Sequence, residues 1–156
     1  MTQEEKQLLL QDLCARLPYS VKVQIDFGEY CIKYGIDRYV DDTVICAYPE
    51  TFEIGVNDED QACDIEDVKP YLRSMSSMTE DEIEEFSYRV FQQPDLNMVK
   101  EWNTLILIID SNQLSKAVDF LNKRMFDWRK IKRDNKYISM IEAGLALEAP
   151  EGMYNY

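Results

Sequence analysis

The chain has 156 residues, the size of one ordinary domain, and its 46% hydrophobic and 12% aromatic content excludes the depleted composition that leaves a chain disordered. Seventeen basic residues stand against thirty acidic ones, a net charge of −13, so phosphate backbones and anionic membranes repel the molecule as a whole. The charge is lopsided: residues 24–67 carry 13 carboxylates against Lys33 and Arg38, whereas residues 116–136 carry eight basic residues against three acidic ones.

Thr2 and Glu5 have the T-x-x-E spacing of a capping box, and Leu9, Leu10, Leu13, Cys14 and Leu17 recur at helical spacing up to Pro18, which predicts an amphipathic helix over 3–16. The period then changes to two. Val21, Val23, Ile25 and Phe27 alternate with polar residues, Gly28-Glu29 suits a tight hairpin, and Tyr30, Ile32, Tyr34 and Ile36 line one face of a second strand. After a polar loop at 37–42, residues 43–48 and 51–56 read as two more strands around Pro49-Glu50. Together these make a four-strand antiparallel meander able to curl into a small barrel-like sheet. Residues 57–67 read as an acidic loop, and 65–72 as a helical turn.

The capping-box spacing recurs at Thr79 and Glu82, with Ile83, Phe86 and Val90 on one face of a second helix that stops at Gln93-Pro94. Residues 104–109 form a short apolar, β-branched run, the pattern of a strand buried on both faces. Asp110 or Ser111 then caps a third helix with Leu114, Ala117, Val118, Leu121, Met125 and Trp128 on its buried stripe, and 137–147 reads as a last, shorter helix. The expected architecture is a single α+β domain: an N-terminal helix, the meander at about 20–57, and a helical half at about 79–148 with one further strand.

No histidine is present, which removes the usual general base and most hydrolase triads, and five glycines include no phosphate-cradling loop. No catalytic residue, cofactor or metal ligand is therefore expected. Cys14, Cys31, Cys46 and Cys63 stand 17, 15 and 17 residues apart with no C-x-x-C pair, and are read as free thiols. The opening residues lack the basic and apolar regions of a signal peptide, and the longest apolar run, 105–109, is far short of the roughly 20 residues of a membrane helix, so a cytoplasmic protein without a membrane partner is expected.

Two charged stretches are the candidate interaction surface. The first holds Asp58, Glu59, Asp60 and Asp64; it lacks the glycine and terminal glutamate of a calcium loop, and a solvated acidic loop is the plainer reading. The second is RKIKRDNK at 129–136, with Arg129, Lys130, Lys132 and Arg133 between Trp128 and Tyr137. That arrangement suits a nucleic-acid backbone, but the net charge disfavours nucleic acid, and a solvated helix–helix connection is the plainer reading. The same run can also pair with the acidic region, within or between subunits.

The opening MTQEEKQLLLQDLCARLPYSVKV, the central IEDVKPYLRSMSSMTEDE, and the closing IEAGLALEAPEGMY with the preceding DFLNKRMFDWR resemble a family of short acidic proteins of gut bacteria and their phages or prophages. The resemblance implies a cytoplasmic, mobile-element-associated protein and assigns no site residue. The chain departs from the family pattern after Trp128, where the basic stretch stands before the closing segment. Missing catalytic types, lopsided charge and ten tyrosines lead to a non-enzymatic protein-interaction module whose partner is another protein or a second copy. The second reading is an acidic nucleic-acid mimic that occupies the groove of a DNA-binding protein; the third is a cysteine- or carboxylate-based enzyme.

Overall fold

The computed structural model describes residues 1–26, 45–48, 53–56, 62–92 and 110–154. Helix α1 (Gln3–Arg16) starts at a capping box: the Glu5 N–H donates to Thr2 Oγ1 and the Thr2 N–H to Glu5 Oε2, so two orphan donors of the first turn are satisfied. Leu9, Leu10 and Leu13 are buried as the spacing predicts. Asp12 and Arg16, one turn apart, are buried with them.

The chain then enters β1 (Val23–Ile25), whose antiparallel partner is β5 (Val68–Ser74), in register Val23↔Pro70 and Ile25↔Val68. A helical turn expected over 65–72 is thus confined to a 3-10 turn at Ile65–Asp67, followed by seven residues of strand. The reason is local. Val68, Pro70 and Leu72 are buried while Lys69, Tyr71 and Arg73 are half-buried, a period of two, and Pro70 supplies no N–H for a helical bond.

Strands β2 (Ile45–Tyr48) and β3 (Glu53–Val56) pair antiparallel as expected, with Ile45 opposite Val56 and Tyr48 opposite Glu53. Inside the expected acidic loop, Ala62–Asp64 forms β4 and extends this sheet, Glu53 facing Asp64. The antiparallel strands therefore divide between two sheets: β1 pairs with β5 while β2–β3–β4 form their own, and no closed barrel forms among the described residues. The strand expected around Tyr30 to Ile36 and the one expected over 104–109 lie outside the described residues.

Helix α2 (Glu80–Phe91) repeats the capping box with Thr79 and Glu82 and ends at Gln92, whose φ of 60° closes the helix in the left-handed region. Helix α3 (Ser111–Lys123) is capped by Asp110, whose carboxylate accepts from the Gln113 N–H. The two helices pack through Phe86 and Phe120, edge to face with ring centroids 5.5 Å apart. Chain direction changes after Lys123: Met125 has φ 62°, so Met125 and Trp128 leave the expected helical stripe, and Phe126–Asp127 becomes β6, parallel to β5.

The last expected helix, 137–147, is replaced. Lys130–Arg133 (β7) and Lys136–Ser139 (β8) form an antiparallel hairpin, and Leu147–Glu148 (β9) lies parallel to β5. Asp134 and Asn135, with φ of 50° and 62°, make the two-residue turn whose twist matches the flanking strands. A type of helix–helix connection was expected at 129–136; alternation of Ile131 and Ile138 with lysines, joined by Asp-Asn, is a hairpin pattern instead. Beyond β8 the chain turns at Gly144, whose φ of 76° ends any helix there. One apolar core gathers α1, β1, β5, the hairpin and the 140–146 turn; a second gathers α2, α3 and Phe126. The chain is thus α+β, with an N-terminal helix, antiparallel strands, and a C-terminal part holding a helix and further strands.

Candidate interaction surface

The β7–β8 hairpin is fixed by two of its four expected basic residues. Arg133 donates from Nε to Glu5 Oε1 (2.9 Å) and from Nη1 to the Ala143 carbonyl (2.7 Å). This guanidinium holds the Glu5 carboxyl below its ordinary value, against the opposing effect of burial. Arg129 donates from Nε to Asp12 Oδ1 (3.0 Å), and its guanidinium lies 4.6 Å from the Trp128 ring centroid. Trp128 in turn donates to Asn122 Oδ1 (2.7 Å).

Beneath the hairpin lies a buried polar cluster. Arg16 grips Asp12 with two hydrogen bonds, 2.9 and 3.0 Å, and donates to the Phe126 carbonyl at 2.7 Å; its Nη1 has no partner among the described residues. Asp127 accepts from the N–H groups of Met140 (3.2 Å) and Ile141 (2.9 Å), which holds the 140–146 turn against β6. Burial pushes the Asp127 carboxyl up, more than those two hydrogen bonds pull it down. Its oxygens are occupied by backbone donors, an arrangement that positions chain rather than moves a proton.

The remaining basic residues point outward. Lys130, Lys132 and Lys136 are exposed, and Tyr137, directly opposite Lys132, is 70% exposed. Because cross-strand partners share a face, Lys130, Lys132 and Tyr137 form one basic–aromatic surface while Ile131 and Ile138 face the core. The sequence-expected set therefore divides: Arg129 and Arg133 are anchors, Lys130 and Lys132 are surface. Asp58, Glu59 and Asp60 lie outside the described residues. Asp64 ends β4, where its side chain accepts from the Glu66 N–H. Nearby Asp67 is pushed up by burial and by the charges of Asp26, Asp64 and Glu66, and Lys6 pairs with Glu66 at 2.9 Å.

A cleft of about 690 Å³, unmarked by any sequence motif, lies where the end of β5, the start of α2 and the segment 148–154 meet. Arg73 lies on its wall, stacked 4.2 Å from the Phe126 ring centroid and bound bidentately to Glu82 (2.9 and 2.7 Å). Arg124 reaches Glu82 at 3.4 Å and Glu85 at 2.7 Å. Burial raises the Glu82 carboxyl, but the Arg73 and Thr79 hydrogen bonds outweigh it and hold it ionised below its ordinary value, so Glu82 is a weak proton acceptor. Ser74 donates to Glu148 Oε1 (3.2 Å), and Asp81 and Glu151 stand exposed at the rim.

No family model, curated protein or solved structure matches the chain. Among the described residues no helix is long and apolar enough to cross a membrane, and no group of three histidine, cysteine or carboxylate residues has the arrangement to hold a metal ion. Cys14 is a free thiol, and burial raises it further above physiological pH.

Proposed function

We propose that the chain is a non-enzymatic protein-interaction module that engages an acidic protein segment through the outward face of the β7–β8 hairpin. The observation that carries this reading is the division of labour within one basic run. Arg129 and Arg133 are bound to carboxylates of α1, while Lys130, Lys132 and Tyr137 have no such partner among the described residues. Tyrosine supplies rigid contact area and a hydroxyl, and flanking lysines supply charge that steers an anionic partner without a large desolvation cost. Of the tyrosines with described side chains, Tyr19 and Tyr154 are tied to other groups by their hydroxyls, whereas Tyr137 and Tyr88, 64% exposed, stand out from the surface.

The test is a comparison of the full chain with K130E/K132E/Y137A by cross-linking capture from nuclease-treated lysate, together with titration of a short poly-glutamate peptide. The expected result is a salt-released protein partner and peptide binding that the variant loses. Equal capture and equal peptide binding by both proteins would overturn the reading, as would selective retention of duplex nucleic acid by the same face.

A further inference from the structure

We infer that the cleft between β5, α2 and the segment 148–154 receives the β7–β8 hairpin of a second copy of this chain, so that copies associate head to tail. This rests on the reading of the hairpin as an interaction surface and adds its partner.

The cleft's own cations are already engaged. Arg73 is held by Glu82, and Arg124 by Glu82 and Glu85, at 2.7–3.4 Å. What remains facing an incoming group is negative: exposed Asp81 and Glu151, together with Glu148, which accepts from the Ser74 hydroxyl. A concave, anionic space of about 690 Å³ fits a convex, cationic projection rather than a flat or acidic one. The hairpin projects at the turn Asp134-Asn135, between Arg133, which Glu5 holds, and Lys136. Lys130 and Lys132 lie with Tyr137 on one strand face and Lys136 on the other, so its three exposed lysines outnumber the single turn carboxylate of Asp134. Within its own copy the hairpin is pinned to α1 by Arg133 and Glu5 and to the core by Ile131, so the cleft available to it belongs to another molecule.

The donor and acceptor surfaces differ, so the contact is heterologous and propagates into rings or open chains unless one surface is blocked. Copies of charge −13 repel at long range, but a Debye length of about 10 Å at 0.1 M salt damps that repulsion more than the short contacts.

The experiment is sedimentation velocity of the full chain over a wide concentration range at about 0.1 M salt. It compares the wild type with a reversed hairpin (K130E/K132E/K136E) and a reversed cleft (D81K/E151K). The wild type is expected to form dimers and larger species, and each variant alone to associate at least about tenfold more weakly, the effect of reversing a few contact ion pairs. In an equimolar mixture of the two reversals the intact hairpin meets the intact cleft and the acidic reversed hairpin meets the basic reversed cleft, so association is expected to return. The neutral sets K130Q/K132Q/K136Q and D81N/E151Q, checked by circular dichroism, give the same ordering if a reversal disturbs folding. An equimolar mixture of these neutral variants keeps only the intact hairpin–cleft contact and is expected to stop at a 1:1 dimer. A wild type that stays monomeric throughout, variants that associate as it does, or a mixture that stays monomeric would each overturn the inference. If poly-glutamate binding by the hairpin persists in that case, the hairpin reading stands without this partner; if it is also absent, both fail.

Discussion

Asp12 and Arg16 occupy positions on α1 that helical spacing assigns to its buried face, yet both are charged and fully buried. A pair taken out of water is tolerable only with good geometry and further hydrogen bonds, and here Arg129 and the Phe126 carbonyl provide them. Removing one partner leaves the other charge stranded, so Asp12→Ala is expected to cost about 3–5 kcal/mol in urea denaturation. Replacing Asp12 and Arg16 together by leucine and methionine is expected to cost less than that single change, because the fully buried Arg16 charge leaves with its partner and only Arg129, which reaches solvent, loses a contact. Tyr154 shows the neutral counterpart. Its hydroxyl donates to the Tyr71 carbonyl at 2.8 Å and accepts from the Lys22 N–H at 3.0 Å, tying the C-terminal segment to β5 and to the entry of β1. Tyr154→Phe is expected to lower stability by about 1 kcal/mol, read from the same denaturation curve.

At the scale of elements, the hairpin depends on its two-residue turn. Asn135 at φ 62° sits where asparagine and glycine are tolerated and a β-branched residue is not. Asn135→Gly is therefore expected to leave the protein folded and close to wild-type stability, whereas Asn135→Val costs about 1–2 kcal/mol. Hydrogen exchange at residues 130–139 locates that loss in the hairpin. The start of α2 is a second such point. Thr79 caps the helix and Glu82 both completes the box and bridges Arg73 to Arg124, so Thr79→Ala loosens a cap and the cleft wall together, at about 0.5–2 kcal/mol by thermal melting.

For the whole molecule, the shifted carboxyls set the acid limb of stability. Glu5 and Glu82 lie below their ordinary value of 4.5 in the fold, so the stability they contribute is present above that pH and is lost as pH falls through their folded values. Asp127 has the opposite sign. It lies above its ordinary 3.8, so its ionised form is disfavoured in the fold, and acid relieves that penalty. Thermal melts between neutral pH and pH 3 are expected to show a fall below about 4.5 that Glu82→Gln flattens and Asp127→Asn steepens. An unchanged acid limb in both variants would contradict these assignments.

Helices α1 and α2 could be read from the sequence because Thr2–Glu5 and Thr79–Glu82 are caps within one turn, and their apolar spacing is a property of the local backbone. The β2–β3 pairing followed from two short strand-type runs separated by Pro49-Glu50, a turn signal that is equally local. By itself the sequence thus determined the α+β class, the three longest helices, the charge imbalance and the basic run that holds Lys130 and Lys132. The choice of β5 as partner for β1, the division of the strands between two sheets, and the hairpin in place of a last helix came from tertiary structure. Strand pairing joins residues far apart in the chain, and the short 130–139 alternation is outweighed in a local reading by the apolar spacing that follows it. The roles of the basic residues were decided in the same way. Arg129 and Lys130 are neighbours of like charge, but only the fold brings Asp12 within 3.0 Å of Arg129, 117 positions away, and leaves Lys130 in water. The cleft belongs wholly to tertiary structure, since its walls come from β5, the start of α2, Arg124 at the end of α3 and the C-terminal segment, which share no sequence pattern and hold more carboxylates than cations only once they meet.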